Sequence, residues 1–270
     1  MINFFRKTRK KMADDNKPMK YIRYAVGEIV LVVIGILIAL SINNWNQNRN
    51  EQNKIKEYAV SLIQDLEADI SMTSEIQRQN EEIVERIDSL NQYTQNRSIE
   101  NLSNLTMLYF TLNKPHRPYT WNRTTITELK NSGTLGLIKN DSLSKMISKY
   151  DAYTSHLDDD FINDRIQFKK ATDLSVSVVN HGYPNLFEFS EKLLPNNNVR
   201  DYNFIESQEY LNAKSFNLEL ITNDINKVQE MVNSYNVLMM YLRIRIDVEL
   251  PKLKNDAEEI IELLKETYLD

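Results

Sequence analysis

The most prominent pattern in the chain is an uninterrupted apolar run near its N-terminus. Residues 24–42 read YAVGEIVLVVIGILIALSI, and residues 29–40 carry no polar side chain. Since about 20 helical residues cross a hydrocarbon core about 30 Å thick, the run predicts a transmembrane helix that ends before Trp45. Two alternatives stay open: a cleavable signal peptide, for which Ala39 and Ser41 have the small-x-small spacing, and a buried helix of a soluble protein.

Small residues mark one side of this predicted helix. Gly27, Gly35 and Ala39 lie along a single stripe. Stripes of this kind let two transmembrane helices approach closely, so the three residues are candidates for helix packing in the membrane. The alternative is that these small side chains face lipid.

Heptad spacing begins soon after the apolar run. Residues 48–93 contain neither Gly nor Pro, and apolar residues spaced by four and three predict one long helix. Asp69, Thr73 and Asn80 interrupt the apolar stripe, where they either set the register of a helix pair or lie solvated at the helix edge. The full stripe is Ile55, Ala59, Leu62, Leu66, Asp69, Thr73, Ile76, Asn80, Ile83, Ile87 and Leu90.

A second heptad stripe predicts another long helix near the C-terminus. Pro251 then predicts a break or kink before a final helix that ends near Leu269. The two long helices pair either within one chain or, as a stalk, between two copies of the first helix. The second stripe is Leu218, Ile221, Ile225, Val228, Val232, Tyr235, Met239, Leu242 and Ile246.

These patterns predict an all-α protein: one N-terminal transmembrane helix followed by an elongated helical bundle built on the two heptad-patterned helices. Within the region between them, Thr125 and Glu128 have capping-box spacing, and Gly133 is placed to end that helix. Asp141 is predicted to cap the next helix. Further predicted helices cover residues 101–112 and 160–179.

Composition and charge narrow the class of protein. The chain has no Cys and five Gly, and it lacks the Gly-rich phosphate-binding motifs, so thiolate metal sites and nucleotide loops are excluded. The net charge is −5, yet residues 1–23 hold eight basic and two acidic residues. A basic arm before an apolar span predicts a cytoplasmic N-terminus held near anionic lipid, with no role in nucleic-acid binding.

Few residues suggest chemistry. His156 lies beside Asp158, Asp159 and Asp160, which raises the question of a divalent-cation site, but the spacing matches neither an EF-hand nor a zinc motif. An Asp-rich helix start explains the run as well. Since no catalytic constellation is recognisable, we expect no enzyme activity, no metal site and no cofactor. The two other histidines, His116 and His181, are predicted to lie in loops.

One block is the candidate binding surface. Trp121, Arg123, Thr124, Thr125 and Glu128 combine an aromatic ring, a cation and hydroxyl groups near a predicted helix N-terminus. The free N–H groups there are suited to an anion or to the carboxylate of a partner. The alternative is structural: the ring packs under the bundle and the hydroxyl and carboxylate cap the helix.

Two blocks of the chain resemble an uncharacterised bacterial family known only as a domain of unknown function. The first block is MINFFRKTRKKM followed by KYIRYAVGEIVLVVIGILIALSINNWN, and the second runs from Trp121 to Asn140 with the pattern T-T-x-x-E-L-K-x-S-G-x-L-x-L-I-K-N. The resemblance implies a single-span protein of the Gram-negative inner membrane with a helical periplasmic domain. It implies no activity.

The expected organisation is therefore a basic cytoplasmic arm over residues 1–23, a transmembrane helix over 24–42 and a periplasmic helical domain over 43–270. The expected function is that of a non-enzymatic scaffold in the cell envelope, with the bilayer and either an envelope protein or a second copy as partners. The alternative is a ligand-sensing module that signals through its transmembrane helix to a partner.

Overall fold

The computed structural model describes residues 18–112, 118–184, 186 and 206–269. Within these ranges the secondary structure is helical and contains no β-strand, which confirms the predicted all-α class. Residues 1–17 of the predicted basic arm, as well as His116, lie outside the described residues. Contacts divide the chain into two units, Met1–Tyr58 and Ala59–Asp270, which are treated separately below.

Helix α1 spans Pro18–Thr94 and contributes to both units. The sequence patterns predicted a transmembrane helix and a separate heptad helix, whereas the structure joins them in one continuous helix. The reason lies in the composition of the junction, because Asn, Gln, Arg and Glu after residue 42 change the polarity without introducing a Pro that would stop the helix.

The part of α1 in the first unit carries an exposed apolar surface. An 18-residue window of the helix has a mean hydropathy of 2.7 and no buried residue, which makes it the one described helix long and apolar enough to span a membrane. Ile29 and Leu31 are each more than 60% exposed, at 63% and 66%. A core helix of a soluble protein would be buried, so this observation disfavours that alternative.

The three small residues of the apolar run lie on open helix surface. Gly27, Gly35 and Ala39 are all exposed. A Cβ atom placed at either glycine would meet nothing within 4 Å. Their role in packing against another transmembrane helix stays a prediction.

The second unit contains the remaining helices. After α1 the helices are α2 (Asn104–Thr111), α3 (Thr124–Asn131), α4 (Asp141–Val178), α5 (Gln208–Lys214), α6 (Ile225–Ile244) and α7 (Leu250–Tyr268). A wide π-helical turn, Arg245–Glu249, connects α6 to α7. Short 3-10 turns cover Ile99–Asn101 and Thr134–Leu137.

The main apolar core of this unit is enclosed by the C-terminal part of α1 together with α2, α4 and α6. Tyr235 on α6 is buried there, and its hydroxyl donates a hydrogen bond to the carbonyl of Thr111 at 3.1 Å. Asn91 on α1 donates to Asn236 on α6 at 2.7 Å, so the two heptad helices contact each other within one chain. Other buried members of the core are Ile87, Leu90, Met107, Leu108, Val178, Met231 and Leu238.

Several predicted helix ends are wrong by a few residues. Helix α6 begins at Ile225 after the cap Asp224, so Leu218 and Ile221 precede it. The side chain of Asn140 caps α4 by accepting from the N–H groups of residues 142 and 143, which leaves Asp141 as the first helical residue. Gly133 adopts φ 71°, the left-handed conformation expected after a helix.

The separate helix predicted over residues 160–179 is also wrong, because α4 runs without interruption from Asp141 to Val178. The Asp-rich run beside His156 therefore lies in the middle of a helix. The explanation of that run as a helix start, based on the preference of acidic residues for helix N-termini, does not hold.

The polar residues of the first heptad stripe are buried. Asp69, Thr73 and Asn80 are 1%, 1% and 2% exposed. Solvation at a helix edge was one of the two explanations for these residues, and their burial contradicts it. The structure instead gives Asp69 a set of hydrogen-bond donors, which is described with the site below.

The chain stays helical through Pro251, although the sequence predicted a break or kink. The change occurs just before the proline, where Leu250 donates its N–H to the carbonyl of Arg245, five residues earlier. Proline has no N–H, and its ring crowds the carbonyl four residues before it in a regular α-helix. The wide turn provides a change of register at that position.

Candidate functional site

The second unit contains a buried cluster of charged side chains, which we call the Arg245 cluster. Its members are Arg245 and Glu249 from the π turn together with His156, Asp160 and Asp164 from α4. On each element the members are four residues apart, so they project from one face of their helix. Packing of α4 against the α6–α7 segment brings the two faces together.

The guanidinium of Arg245 forms the centre of this cluster. It donates to both oxygens of Asp164, with Nε–Oδ2 2.9 Å and Nη2–Oδ1 3.3 Å. It also contacts Oδ1 of Asp160 at 3.3 Å and one oxygen of Glu249. The side chains of Arg245 and Asp164 are 4% and 0% exposed, so this two-point ion pair is shielded from water.

His156 lies at the rim of the cluster, with a side chain that is 54% exposed. Its Nε2 is 3.1 Å from Oδ2 of Asp160 and 3.6 Å from Oε1 of Glu249. One ligand-type atom from each of these three residues lies within 4.8 Å of the other two. No metal site was expected, because the spacing around His156 matches neither an EF-hand nor a zinc motif; Glu249 is far from His156 and Asp160 in the chain.

Burial perturbs several groups around Arg245. It raises the pKa of the Asp164 carboxyl above its usual value, against the opposing effect of Arg245. Burial lowers the pKa of Arg245 itself, but the neighbouring carboxylates outweigh it and the net shift is upward. The pKa of Tyr119 is raised mainly by burial, and its buried hydroxyl has no hydrogen-bond partner among the residues that the structure describes. Burial raises the pKa of Tyr153 to about 12.

A second buried carboxylate, Asp69 on α1, is surrounded by neutral donors. Oδ1 accepts hydrogen bonds from the backbone N–H of Asn122 at 2.8 Å and from its side-chain amide at 2.9 Å. Oδ2 accepts one from the hydroxyl of Tyr150 at 2.9 Å. Burial raises the pKa of Asp69, and the three hydrogen bonds oppose that shift. We call these three residues the Asp69 cluster.

Two residues of the predicted binding surface meet at one carboxylate of α4. The indole N–H of Trp121 donates to Oδ1 of Asp158 at 3.0 Å, and Nη2 of Arg123 lies 2.8 Å from its Oδ2. Arg123 also donates from Nε to the hydroxyl of Thr154 at 3.1 Å. The aromatic ring and the cation are thus both engaged with the chain itself.

The other three residues of that surface do not gather at one point. The backbone N–H of Thr125 donates to Oδ2 of Asp65 at 3.2 Å, while Thr124 and Glu128 are exposed. The capping box predicted for Thr125 and Glu128 is wrong, because α3 begins at Thr124 after Arg123 and has no side-chain cap. The N–H group of Thr125, which was expected to bind an external anion or a partner carboxylate, binds the carboxylate of Asp65 instead. Partner binding at these residues stays a prediction.

The charged residues Asp69, Asp164, Arg245 and Glu249 were not identified as site residues from the sequence. Asp69 gave a signal, since a carboxylate within a heptad stripe calls for buried partners. Arg245 and Glu249 have the four-residue spacing of a helical ion pair, but exposed pairs show the same spacing. Their position opposite Asp160 and Asp164 arises only from the packing of α4 against the π turn.

Comparison with known proteins gives one match. No curated protein and no solved structure matches the chain. A model of a family of unknown function matches residues 28–206, which is well over half of the chain. The match includes most of the apolar run, the Trp121 block and all of α4. The chain therefore belongs to the family of unknown function DUF6090.

Proposed function

We propose that this protein is a single-span protein of the bacterial inner membrane whose helical domain lies in the periplasm and binds another envelope protein without catalysing a reaction. The observation that carries the proposal is the apolar window of α1, with its mean hydropathy of 2.7 and no buried residue. Transfer of such a surface from water into lipid is favoured by the hydrophobic effect. The backbone N–H and C=O groups can stay in lipid because they form hydrogen bonds within the helix.

The charge around the span supports the orientation. Residues 1–23 carry eight basic side chains, and the positive-inside rule places such an arm in the cytoplasm. Residues 24–270 carry a net −11, the difference between −5 for the whole chain and +6 for the arm. The helical domain then follows the span into the periplasm.

An exposed apolar face on the second unit supports a role in binding. Val237, Met240, Ile244 and Val248 follow one side of α6 and the wide turn, and they are 42%, 65%, 49% and 58% exposed. We call these residues the α6 stripe. They lie on the side of the helix away from its buried positions, with the three- and four-residue spacing that helix–helix interfaces use.

We propose that an apolar helix of another envelope protein covers this stripe. The acidic balance of residues 24–270 repels anionic lipid headgroups and also repels a second copy of the same domain. A partner with a neutral or basic rim meets no such repulsion. We therefore propose a different protein as the partner, although the sequence was also compatible with self-association.

Anchoring is tested with charges in the apolar run. Replacing Val33 and Ile36 together by Arg is expected to move the protein out of the membrane fraction, since each charge at the centre of a span costs about 3 kcal/mol. Val176→Arg, at an exposed apolar position of α4, is the matched control and is expected to stay in the membrane. Retention of the double variant would overturn the anchor.

Orientation is tested by labelling, which the absence of Cys makes straightforward. Thr127 is exposed on α3, and a Thr127→Cys variant is expected to react with a membrane-impermeant maleimide on spheroplasts without lysis. Labelling that requires lysis would place the helical domain in the cytoplasm.

Partner binding is tested by a photocrosslinking amino acid introduced in cells at Met240, with the exposed position Lys227 on the same helix as the control. We expect one discrete heteromeric product at Met240, which is lost when Ile244→Glu is added. A product with the mass of two copies would show self-association instead, and equal labelling at both positions would remove the stripe as an interface.

A further inference from the structure

We propose that His156, Asp160 and Glu249 form a binding site for a divalent transition-metal cation of the Zn²⁺ class. The site goes beyond the proposed function and does not depend on it. It also departs from the expectation of no metal site, because packing brings Glu249 from the π turn to a His and an Asp that lie one helical turn apart on α4.

The distances suit a metal centre. The Nε2 atom of His156 lies 3.1 Å from Oδ2 of Asp160 and 3.6 Å from Oε1 of Glu249. Two ligands at Zn–N and Zn–O distances of about 2.0–2.1 Å in a tetrahedron are separated by about 3.3 Å. The two observed separations lie on either side of that value, and one ligand-type atom from each of the three residues lies within 4.8 Å of the other two.

Arg245 orients the two carboxylates for this role. Its guanidinium contacts Oδ1 of Asp160 and Oε2 of Glu249, and the other oxygen of each carboxylate faces His156. Metal-binding carboxylates are commonly fixed in this way by a hydrogen-bonding group behind them. Oδ2 of Asp160 is buried and accepts no hydrogen bond of good geometry from the described residues. It faces Nε2 of His156 at 3.1 Å, so a cation between the two atoms would be bound by both.

The net charge of the Arg245 cluster matches that of one divalent cation. Asp160, Asp164 and Glu249 bring three negative charges and Arg245 one positive charge. With a neutral imidazole the cluster therefore has an excess of two negative charges, which one divalent cation neutralises. His156 is 54% exposed, so the rim is open for entry of the cation and for a water molecule as a fourth ligand.

The donor set selects the class of cation. One imidazole nitrogen and two carboxylate oxygens suit Zn²⁺ and its neighbours among the transition metals. Ca²⁺ takes six to eight oxygen ligands, and Mg²⁺ keeps most of its water, so three protein donors including a nitrogen suit neither ion.

The test uses the full-length protein in detergent after chelator treatment, titrated with ZnCl2 by calorimetry and followed by thermal unfolding. We expect one Zn²⁺ per chain and a melting temperature that rises with Zn²⁺ concentration, because the cation binds the folded state. MgCl2 at equal concentration is expected to cause no such rise.

The decisive variant is His156→Ala, since this side chain lies at the rim and its loss leaves the buried ion pair intact. We expect at least about tenfold weaker Zn²⁺ binding and loss of the rise in melting temperature. His181→Ala is the matched control, because the ring nitrogen of His181 contacts a backbone oxygen of Val179 at 2.9 Å. This variant is expected to bind Zn²⁺ like the wild type.

Glu249→Gln is the second ligand variant, and circular dichroism checks the fold of each protein before the titration. It is also expected to weaken Zn²⁺ binding. The proposal is overturned if the wild type binds no Zn²⁺, if the folded His156→Ala and Glu249→Gln variants bind it as the wild type does, or if His181→Ala weakens binding equally.

Discussion

The Arg245 cluster and the Asp69 cluster solve the same physical problem in different ways. Each contains a carboxylate from a long helix that is almost completely buried, with Asp164 0% and Asp69 1% exposed. Asp164 is paired with a guanidinium, whereas Asp69 accepts hydrogen bonds from an amide, a backbone N–H and a phenol. In both cases burial raises the pKa of the carboxyl.

The difference lies in what remains when the carboxylate is removed. Loss of Asp164 removes the two-point partner of the buried Arg245 guanidinium, which then keeps only its contacts to Asp160 and Glu249. Loss of Asp69 leaves neutral donors without an acceptor. Breaking a buried two-point ion pair is more costly than leaving neutral donors unsatisfied. We therefore expect removal of Asp164 to lower the free energy of unfolding more than removal of Asp69, although the two carboxylates are almost equally buried.

The largest effect is expected for Asp164→Asn, which removes the fully buried carboxylate among the three that Arg245 contacts. We expect a loss of about 3–5 kcal/mol in the free energy of unfolding, measured by denaturant titration with circular dichroism. Asp159→Asn, an exposed acid in the same helix, is the control and is expected to change stability little. Equal losses in the two variants would contradict the central role of the ion pair.

A smaller loss is expected for Asp69→Ala, because three neutral donors from Asn122 and Tyr150 lose their acceptor. We expect about 2–3 kcal/mol in the same unfolding experiment. Glu67→Ala, an exposed position two residues earlier in α1, serves for comparison. A loss larger than that of Asp164→Asn would invert the comparison.

The pH dependence sharpens the comparison further. Burial raises the pKa of the Asp69 carboxyl above 3.8, so the folded protein binds the carboxyl proton more tightly than the unfolded chain does. Its contribution to stability is complete below pH 3.8 and is lost as the pH rises through the folded-state pKa. The free energy of unfolding of the wild type, relative to Asp69→Asn, should therefore fall as the pH rises above 3.8. A difference that grows with pH would have the wrong sign.

The smallest effect is expected for an ion pair at the surface. Lys169 and Asp173 on α4 form a pair with side chains 75% and 62% exposed. Water screens such pairs, so Lys169→Ala is expected to cost about 0.5 kcal/mol or less. The neighbouring Lys170→Ala provides the baseline in the same unfolding experiment, and a cost near that of Asp69→Ala would show that burial does not govern these pairs.

The class of fold and most helices were predictable because they depend on local periodicity. Apolar spacing over residues 48–93 identified the second half of α1, and Gly133 correctly marked the end of α3. The start of α6 was missed because Leu218 and Ile221 continue its spacing without being helical. Capping by Asp224 determines that start, and the apolar pattern alone does not reveal it.

The candidate site was predictable only in part. The sequence placed His156 beside Asp160, but Glu249 and Arg245 come from a turn far along the chain. Trp121 was identified as a notable residue, while its acceptor Asp158 lay in a run explained as a helix start. Long-range pairing depends on how two helices pack, which periodicity within either helix does not encode.

The wide turn at Arg245–Glu249 has the geometry of a helix that carries one extra residue. The wide turn absorbs that residue, so deleting one residue here would leave a regular α-helix with α7 close to its present rotation, but with the ring of Pro251 against the carbonyl four residues before it. Each helical residue advances the side chains by about 100°, so deleting one residue at the start of α7 itself would rotate the rest of that helix by this angle. Leu253, Ala257, Ile260 and Leu264, which are now buried, would then turn away from the core. A change of one residue is thus absorbed at the wide turn, with a poorer fit around Pro251, whereas the same change within α7 displaces its buried face.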